Sequence, residues 1–216
     1  MIPKITVMLV DDHAVVRAGY RLLLSQSENI RIVREAERGE EACQYCSESQ
    51  PDVIVMDLSL PGIGGLASIR RILSRDPEAK ILVFSIHDEP VYVLRALEAG
   101  AKGFITKSSA PETLVEAVKK VAGGETYVEP EIARKLQLQT MGGKDASADD
   151  LNSLSAREFD VFCLLAKGYT TRQVADELRL SYKTVGNYTT LIKNKLNVST
   201  TAEMARLAFR YGLLKA

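Results

Sequence analysis

The stretch that decides the fold is ITVMLVDDHAVVRAGYRLLLSQ, residues 5–26. Ile5–Val10 is a continuous run of apolar and β-branched residues, which is typical of a strand buried on both faces of a parallel sheet. Asp11 and Asp12 end this run, and Ala14–Gln26 then repeats apolar residues at the spacing of a helix. The stretch is therefore one β-α unit with two carboxylates at the carboxyl end of its strand.

The same alternation continues to about residue 125. The other predicted strands are Ile30–Arg34, Asp52–Met56, Lys80–Phe84 and Gly103–Ile105. The predicted helices between and after them are Gly39–Glu48, Leu66–Arg75, Pro90–Ala99 and Pro111–Ala122. Ser109 and Glu112 predict a capping box for the last of these helices. Five units in this order predict a doubly wound α/β domain over residues 1–125, (βα)5, with a five-stranded parallel sheet in the order 2-1-3-4-5.

The rest of the chain is expected to be helical. Residues 126–150 are a predicted connector, with a short helix at Pro130–Gln139 and a flexible linker at Met141–Asp150. Residues 151–216 are predicted to form an all-α domain of four helices, of which the first, third and fourth begin after Ser155, Ser181 and Thr200. These helices are Ala156–Lys167, Thr171–Leu178, Tyr182–Leu196 and Ala202–Tyr211. The tight turn between the second and the third predicts a helix-turn-helix unit.

Charge is distributed unevenly along the 216 residues. The whole chain carries 28 Lys+Arg and 28 Asp+Glu, but residues 151–216 hold 10 Lys+Arg against 5 Asp+Glu. A basic last part and an acidic first part indicate different partners, and nucleic acid suits the basic part. The apolar runs are too short for a membrane span, and Met1–Lys4 lacks a signal-peptide layout, so a cytoplasmic protein is expected. Three cysteines are too few for a disulfide scaffold.

Polar residues follow four of the predicted strands. Asp11, Asp12 and Asp57 end the first and third strands, which are neighbours in this strand order, so the three carboxylates are expected to converge. Their mutual repulsion favours a hard divalent cation such as Mg2+. Ser85 and Lys107 end the fourth and fifth strands on the same rim. Together these groups suit a phosphoryl group held on a nucleophilic carboxylate, although each residue taken alone is more typical of a turn or a solvated loop.

These residues resemble the receiver domain of two-component response regulators. The matching strings are Val10–His13 (VDDH), Val55–Leu58 (VMDL), Pro61-Gly62, Phe84-Ser85 and Gly100–Phe104 (GAKGF) with Lys107. The resemblance covers residues 3–125 and implies that Asp57 is the phosphoacceptor. It also implies that Asp11 and Asp12 bind Mg2+, with Asp12 as a direct ligand. Asp57 and the backbone carbonyl of Ser59 would complete the metal ligands, and Lys107 would contact the phosphoryl oxygens.

The resemblance also implies a conformational switch. Ser85 would donate a hydrogen bond to the phosphoryl group on Asp57, and the ring of Phe104 would turn inward into the vacated space. The surface of the fourth and fifth predicted helices would then change. Lys107 is followed by Ser108, where many receivers have proline, so the family's cis Lys–Pro bond is not expected.

The third helix of the basic domain is amphipathic. Its apolar residues are Val185, Tyr188, Ile192 and Leu196. The polar residues opposite are Lys183, Gly186, Asn187, Thr190, Lys193 and Asn194. A polar helix face without acidic residues suits the major groove of DNA, with lysines on phosphates and Asn187 and Thr190 toward bases. The pattern alone also fits an ordinary solvated helix face.

This domain resembles LuxR-type helix-turn-helix domains over residues 151–216. The matching strings are Leu154–Glu158 (LSARE), Leu165–Gly168 (LAKG), Val174-Ala175 with Leu178, Leu180-Ser181, Lys183–Val185 (KTV) and Lys195-Leu196. The resemblance implies that Tyr182–Leu196 is the recognition helix, with DNA contacts from Lys183, Thr184, Gly186, Asn187, Thr190 and Lys193. The last helix would form a homodimer. The whole chain resembles the NarL/FixJ class, and Gly62–Gly65 (GIGG) is similar to GacA-type regulators.

This class implies a transcription regulator whose partners are a sensor histidine kinase, double-stranded DNA and a second copy formed on phosphorylation or DNA binding. It would carry out Mg2+-dependent phosphotransfer and autodephosphorylation at Asp57 without turning over a separate substrate. A dehalogenase-like phosphatase is a rival, but it needs a second Asp two residues after the nucleophile, where this chain has Ser59. The alternative of a DNA-binding protein with an unphosphorylated receiver as an interaction module stays open. His87 either tunes acyl-phosphate hydrolysis or faces solvent, and Cys43 and Cys46 are expected to be buried helix residues.

Overall fold

The computed structural model describes residues 4–141, 151 and 153–214, so the linker predicted at residues 142–150 lies outside the described residues. The strands are β1 (Ile5–Val10), β2 (Ile30–Ala36), β3 (Val53–Met56), β4 (Ile81–Ser85), β5 (Gly103–Thr106) and β6 (Tyr127–Val128). The helices of the same part are α1 (Ala14–Ser25), α2 (Gly39–Glu48), α3 (Gly65–Leu73), α4 (Pro90–Glu98), α5 (Pro111–Ala122) and α6 (Pro130–Met141). This element order confirms the predicted doubly wound α/β class.

All six strands are parallel and lie in the order β2-β1-β3-β4-β5-β6. The order predicted for the first five strands is confirmed, and the sixth strand corrects the predicted number. Tyr127 pairs with Gly103 and Val128 with Phe104. Two residues carry no periodicity, so β6 has no signal in the sequence and exists because Tyr127 packs into the buried cluster beside it.

Burial on both faces explains the continuous apolar strands. Val7–Val10 and Val53–Met56 are all buried, as a sheet covered on both sides requires. On one face, Val7 and Val55 belong to a cluster with Leu24 of α1 and Val118 of α5. Burying each such aliphatic side chain contributes roughly 1.5–3 kcal/mol to folding, so the sheet is held in register where its polar strand ends meet.

One predicted feature of the first unit is absent, and one glycine has a specific structural role. The predicted capping box of α5 is absent, since Ala110 is the N-cap and makes no side-chain cap hydrogen bond. Ser109 Oγ instead donates to Glu129 Oε2 at 2.6 Å. At Gly65, a Cβ would lie 2.2 Å from the carbonyl oxygen of Asp57, so only glycine lets α3 start this close to the strand-end backbone.

The helices of the last part are α7 (Ala156–Ala166), α8 (Thr171–Glu177), α9 (Tyr182–Leu196) and α10 (Thr201–Arg210). Capping boxes at Ser155 and Thr200 and the cap at Ser181 match the prediction. A further capping box, Thr170 with Gln173, was not predicted. The turn between α8 and α9 closes when Leu180 N donates to Ala175 O at 2.8 Å, which sets the helix-turn-helix geometry.

The chain divides into two compact units, Met1–Gln137 and Leu138–Ala216. β6 and the first part of α6 thus fall within the first unit, inside the stretch expected to be a connector. The domain boundaries at residues 125 and 150 stay predictions. Within the described part of the chain, no helix is long and apolar enough to cross a membrane.

Candidate functional site

Three carboxylates meet at the carboxyl ends of β1 and β3. The two strands pair in parallel with Val10 opposite Met56, and Asp57 N donates to Val10 O at 2.9 Å. One ligand atom from each of Asp11, Asp12, His13 and Asp57 lies within 4.8 Å of the others. The predicted convergence of the acidic residues is therefore seen in the structure.

Lys107 bridges two of these carboxylates. Its Nζ lies 2.7 Å from Asp11 Oδ2 and 2.7 Å from Asp57 Oδ2. Burial raises the pKa of Asp57 above its usual range, and the Lys107 ammonium opposes that rise. Burial also tends to lower the pKa of Lys107, but the facing carboxylates raise it above its usual value. The ammonium thus offsets the negative charge at the bottom of the site.

Asp11 is buried and each of its polar atoms has a partner. Asp12 is half-buried at the rim of the site. Asp11 Oδ1 accepts the His13 N–H at 2.9 Å, and Asp11 N donates to Ala36 O at 3.1 Å. Arg17 Nη1 donates to the Asp11 carbonyl at 2.6 Å. His13 itself precedes α1, with its ring 64% exposed and its Nδ1 2.9 Å from Asp12 Oδ1.

The loops after β3 and β4 meet beside Asp57. Ser59 N donates to Asp57 Oδ1 at 3.2 Å, and Ser59 Oγ lies 3.2 Å from His87 Nε2. The His87 ring stacks on Tyr92 with centroids 3.9 Å apart. Ser85 is fully buried and its Oγ accepts the His87 N–H at 3.3 Å. The stack and the bond to Ser59 hold His87 over the site, and neither has a signal in the sequence.

Phe104 is fully buried between its strand neighbours. The ring therefore lies in the interior in this structure, and its inward turn on phosphorylation stays a prediction. The peptide bond after Lys107 is trans, in keeping with Ser108 in the following position.

Residues at the end of the first unit contact the end of β5 and the loops after β4 and β5. Glu129 Oε2 accepts hydrogen bonds from Thr106 Oγ1 at 3.2 Å and Ser109 Oγ at 2.6 Å. Lys135 of α6 lies 2.5 Å from Asp88 Oδ2 in the loop after β4. Sequence periodicity does not reveal such contacts, because they join residues 20 and 47 positions apart.

The oxygen ligands of the acidic site fit Mg2+. Asp12 and Asp57 offer carboxylate oxygens near one another, and Mg2+ prefers a few carboxylates completed by waters and phosphate oxygens. A buried carboxylate beside an ammonium and a hydroxyl suits phosphoryl transfer.

The thiols Cys43 and Cys46 lie in α2, away from this site. Cys43 is buried as expected, whereas Cys46 is only half-buried. Burial raises the pKa of the Cys43 thiol and, separately, raises the pKa of the Cys46 thiol to about 11, which disfavours reactive thiolates.

The exposed face of α9 carries most of the predicted DNA contacts. Lys183, Asn187 and Thr190 are exposed, and Gly186 is half-buried with open space where a Cβ would point. Thr184 differs, because its N–H and Oγ1 bond Ser181 Oγ as part of the helix cap.

Two further residues of α9, Lys193 and Leu191, have exposures that differ from those expected for its polar face. Lys193 is half-buried at the edge of the face. Leu191, which sequence reasoning missed, is 46% exposed beside Asn187 and Thr190, although a leucine would normally be assigned to the core.

One ion pair holds α9 against α7. Lys195 Nζ lies 2.6 Å from Glu158 Oε2, and Glu158 is only 4% exposed. Burial would raise the pKa of Glu158, but hydrogen bonds from Lys195 and Ser155 lower it below its usual value. The folded state therefore binds this proton less readily than the unfolded state, and the ionised carboxylate stabilises the fold.

We expect Glu158→Gln to destabilise the helical unit by about 1–2 kcal/mol at pH 7, since Lys195 is partly exposed. This contribution is present above the unfolded pKa of about 4.3 and is lost as pH falls through the lower folded pKa. The deficit of the variant should therefore shrink below pH 4. Urea unfolding followed by circular dichroism checks this, with Glu177→Gln on the exposed face of α8 as control. A deficit independent of pH would contradict it.

Comparisons with known proteins cover both units. Residues 7–119 match the response regulator receiver domain, and residues 152–208 match the luxR family of bacterial regulatory proteins. The chain is 44% identical over 97% of its length to transcriptional activator protein ExaE of Pseudomonas putida, covering 98% of that protein. It is 35% identical to response regulator GacA of Pseudomonas aeruginosa, covering 98% of this chain and 99% of GacA. RcsB from Salmonella enterica serovar Typhimurium, bound to a promoter with phosphomimetic BeF3-, superimposes with a TM-score of 0.64 at 26% identity, covering 94% of this chain and 98% of RcsB.

Proposed function

Because the chain belongs to the response regulators that join a receiver domain to a LuxR-type DNA-binding domain, the NarL/FixJ class, we propose that Asp57 accepts a phosphoryl group from a sensor histidine kinase. Phosphorylation then regulates binding of residues 151–216 to double-stranded DNA and so regulates transcription. The observation that carries the assignment is the bridge of Lys107 between Asp57 and Asp11. A DNA partner implies a cytoplasmic location.

Phosphotransfer at Asp57 is a displacement at phosphorus. A carboxylate oxygen of Asp57 attacks the phosphorus atom, the bond from phosphorus to the donor nitrogen breaks, and an acyl phosphate forms. Asp11, Asp12, Asp57 and the Ser59 carbonyl would hold Mg2+, with Asp12 as the direct ligand of the acidic pair, and Mg2+ would neutralise phosphoryl charge when bound. Lys107 stays within reach of the phosphoryl oxygens, because its partner Asp57 Oδ2 is part of the modified carboxylate.

Hydrolysis reverses the modification. A water attacks phosphorus, the bond to the Asp57 oxygen breaks, and inorganic phosphate leaves. Ser59 and His87, which hydrogen-bond one another beside Asp57, are the side chains proposed to tune this hydrolysis. Ser85 and Phe104 are the proposed switch residues, because the Ser85 hydroxyl lies at the end of β4 and Phe104 in the neighbouring strand.

We expect Asp12→Ala to weaken Mg2+ binding by at least about tenfold, since it removes a direct ligand. Calorimetric titration of Mg2+ measures the change. Glu98→Ala, which removes one exposed carboxylate from α4, is the control and should bind Mg2+ like the wild type. An unchanged Mg2+ affinity in Asp12→Ala would contradict the proposed ligand set.

The proposed DNA contacts are Lys183, Thr184, Gly186, Asn187, Thr190 and Lys193. Lys183 and Lys193 supply positive charge for phosphates, which positions the helix without reading sequence. Asn187 and Thr190 are exposed toward the same side and supply base discrimination. Thr184 acts mainly through its cap bonds to Ser181.

Phosphorylation is proposed to promote a homodimer or to free the helical unit from the receiver. In small-angle X-ray scattering, we expect beryllofluoride with Mg2+ to change the mass or the shape of the wild-type protein. Asp57→Asn is the control, because it lacks the carboxylate that binds the mimic. Identical profiles with and without beryllofluoride would contradict regulation through assembly or domain rearrangement.

A further inference from the structure

Arg17 is buried in the first turn of α1, where nothing about helix formation favours it. It is only 9% exposed, whereas Val15 in the same turn is 86% exposed. A cation near a helix N-terminus opposes the helix dipole, and burying a guanidinium carries a large desolvation cost unless the group is paired. The position therefore requires compensating contacts.

The guanidinium makes three directional hydrogen bonds. Nη1 donates to the Asp11 carbonyl at 2.6 Å, Nε to Glu35 Oε2 at 3.1 Å, and Nη2 to Glu37 Oε1 at 2.8 Å. Glu35 and Glu37 flank Ala36, whose carbonyl accepts the Asp11 N–H. Arg17 thus joins the end of β2 to the residue that ends β1.

The contact with Asp11 fixes a peptide that matters for the site. The Asp11 carbonyl belongs to the same planar peptide unit as Asp12 N, so holding that oxygen sets the direction in which Asp12 leaves the strand. Lys107 and the His13 N–H already hold the Asp11 carboxylate. Arg17 supplies the remaining constraint on this residue.

We propose that Arg17 is a positioning residue that orients the Asp11–Asp12 turn for Mg2+ through its hydrogen bond to the Asp11 carbonyl. The inference rests on the proposed function, since Mg2+ is the ligand it serves. Arg17 does not touch the metal. Outer partners of metal ligands set ligand orientation, and removing them weakens metal affinity by about 10–100-fold.

The test measures Mg2+ affinity by calorimetry and, separately, urea unfolding without Mg2+. Arg17→Met should weaken Mg2+ binding by about tenfold or more. Arg17→Lys keeps the charge but cannot span three acceptors from one point, so it should remain close to Arg17→Met. Arg21→Met is the matched control. Arg21 binds the other oxygen of Glu35 from an exposed position at 3.2 Å, and its loss should leave Mg2+ affinity unchanged.

The outcomes separate the two proposals. A wild-type protein that does not bind Mg2+ contradicts the proposed function itself. Wild-type affinity in Arg17→Met, even with a lower urea midpoint, overturns only the positioning role, because it makes Arg17 a stabilising residue alone. Wild-type affinity in Arg17→Lys also overturns it, since charge would then suffice. If Arg17→Met does not fold, Arg17→Lys decides the question.

Discussion

Asp57→Asn should reduce Mg2+-dependent labelling by acetyl phosphate to background. The amide keeps the shape of the side chain but is neither anionic nor nucleophilic. Asp11 also contacts Lys107, but Asp57 is the more buried of the two carboxylates, at 2% exposed against 5%. Intact-protein mass spectrometry measures the fraction labelled. The expected loss is complete, which makes this the largest effect of any substitution considered.

Asp52→Asn is the matched control for this variant. Asp52 precedes β3 as Asp57 follows it, and it accepts hydrogen bonds from Thr6 at 2.7 and 2.6 Å. An asparagine oxygen can still accept these bonds, so labelling should equal that of the wild type. Undiminished labelling of Asp57→Asn would show that another residue is the phosphoacceptor.

Two substitutions on α9 should weaken DNA binding in different ways. Lys193→Ala should weaken binding to cognate and scrambled duplexes alike and lower the salt slope by about 1, because lysine contacts phosphate. Asn187→Ala should leave the salt slope nearly unchanged. It should cost roughly 1–3 kcal/mol on the cognate duplex only, because an asparagine pairs with one base.

Competition binding over a salt series separates the two effects. Lys102→Ala, which removes the same charge from an exposed position in the first unit, controls for net charge. Equal weakening of both duplexes by Asn187→Ala would show that this face does not read bases.

The sequence predicts those features that depend on local pattern. Continuous apolar strands ending in Asp11 and Asp57 indicate a parallel sheet. In the order 2-1-3-4-5 these two strands are neighbours, so their carboxylates meet at one edge. Cap residues Ser155 and Thr200 mark helix starts correctly since each helix has orphan N–H groups to satisfy. These signals need no knowledge of distant neighbours.

Features that depend on long-range contacts could not be predicted from the sequence. Ser109 belongs to a capping-box pattern in the sequence, yet its hydroxyl donates a hydrogen bond to Glu129 instead of capping α5. Arg17 occupies a core position of an amphipathic helix because its carboxylate partners, Glu35 and Glu37, lie at the end of β2 and just after it, which no spacing within α1 reveals.

Phosphorylation at Asp57 is proposed to control DNA binding, and one binding measurement tests this directly. Sequencing of the fragments that the phosphorylated protein binds supplies a duplex, and fluorescence anisotropy then gives its affinity with and without acetyl phosphate and Mg2+. Wild-type affinity should change on phosphorylation, while Asp57→Asn should bind the duplex identically under both conditions. A wild-type affinity that does not respond, or an Asp57→Asn variant that responds equally, would contradict the claim.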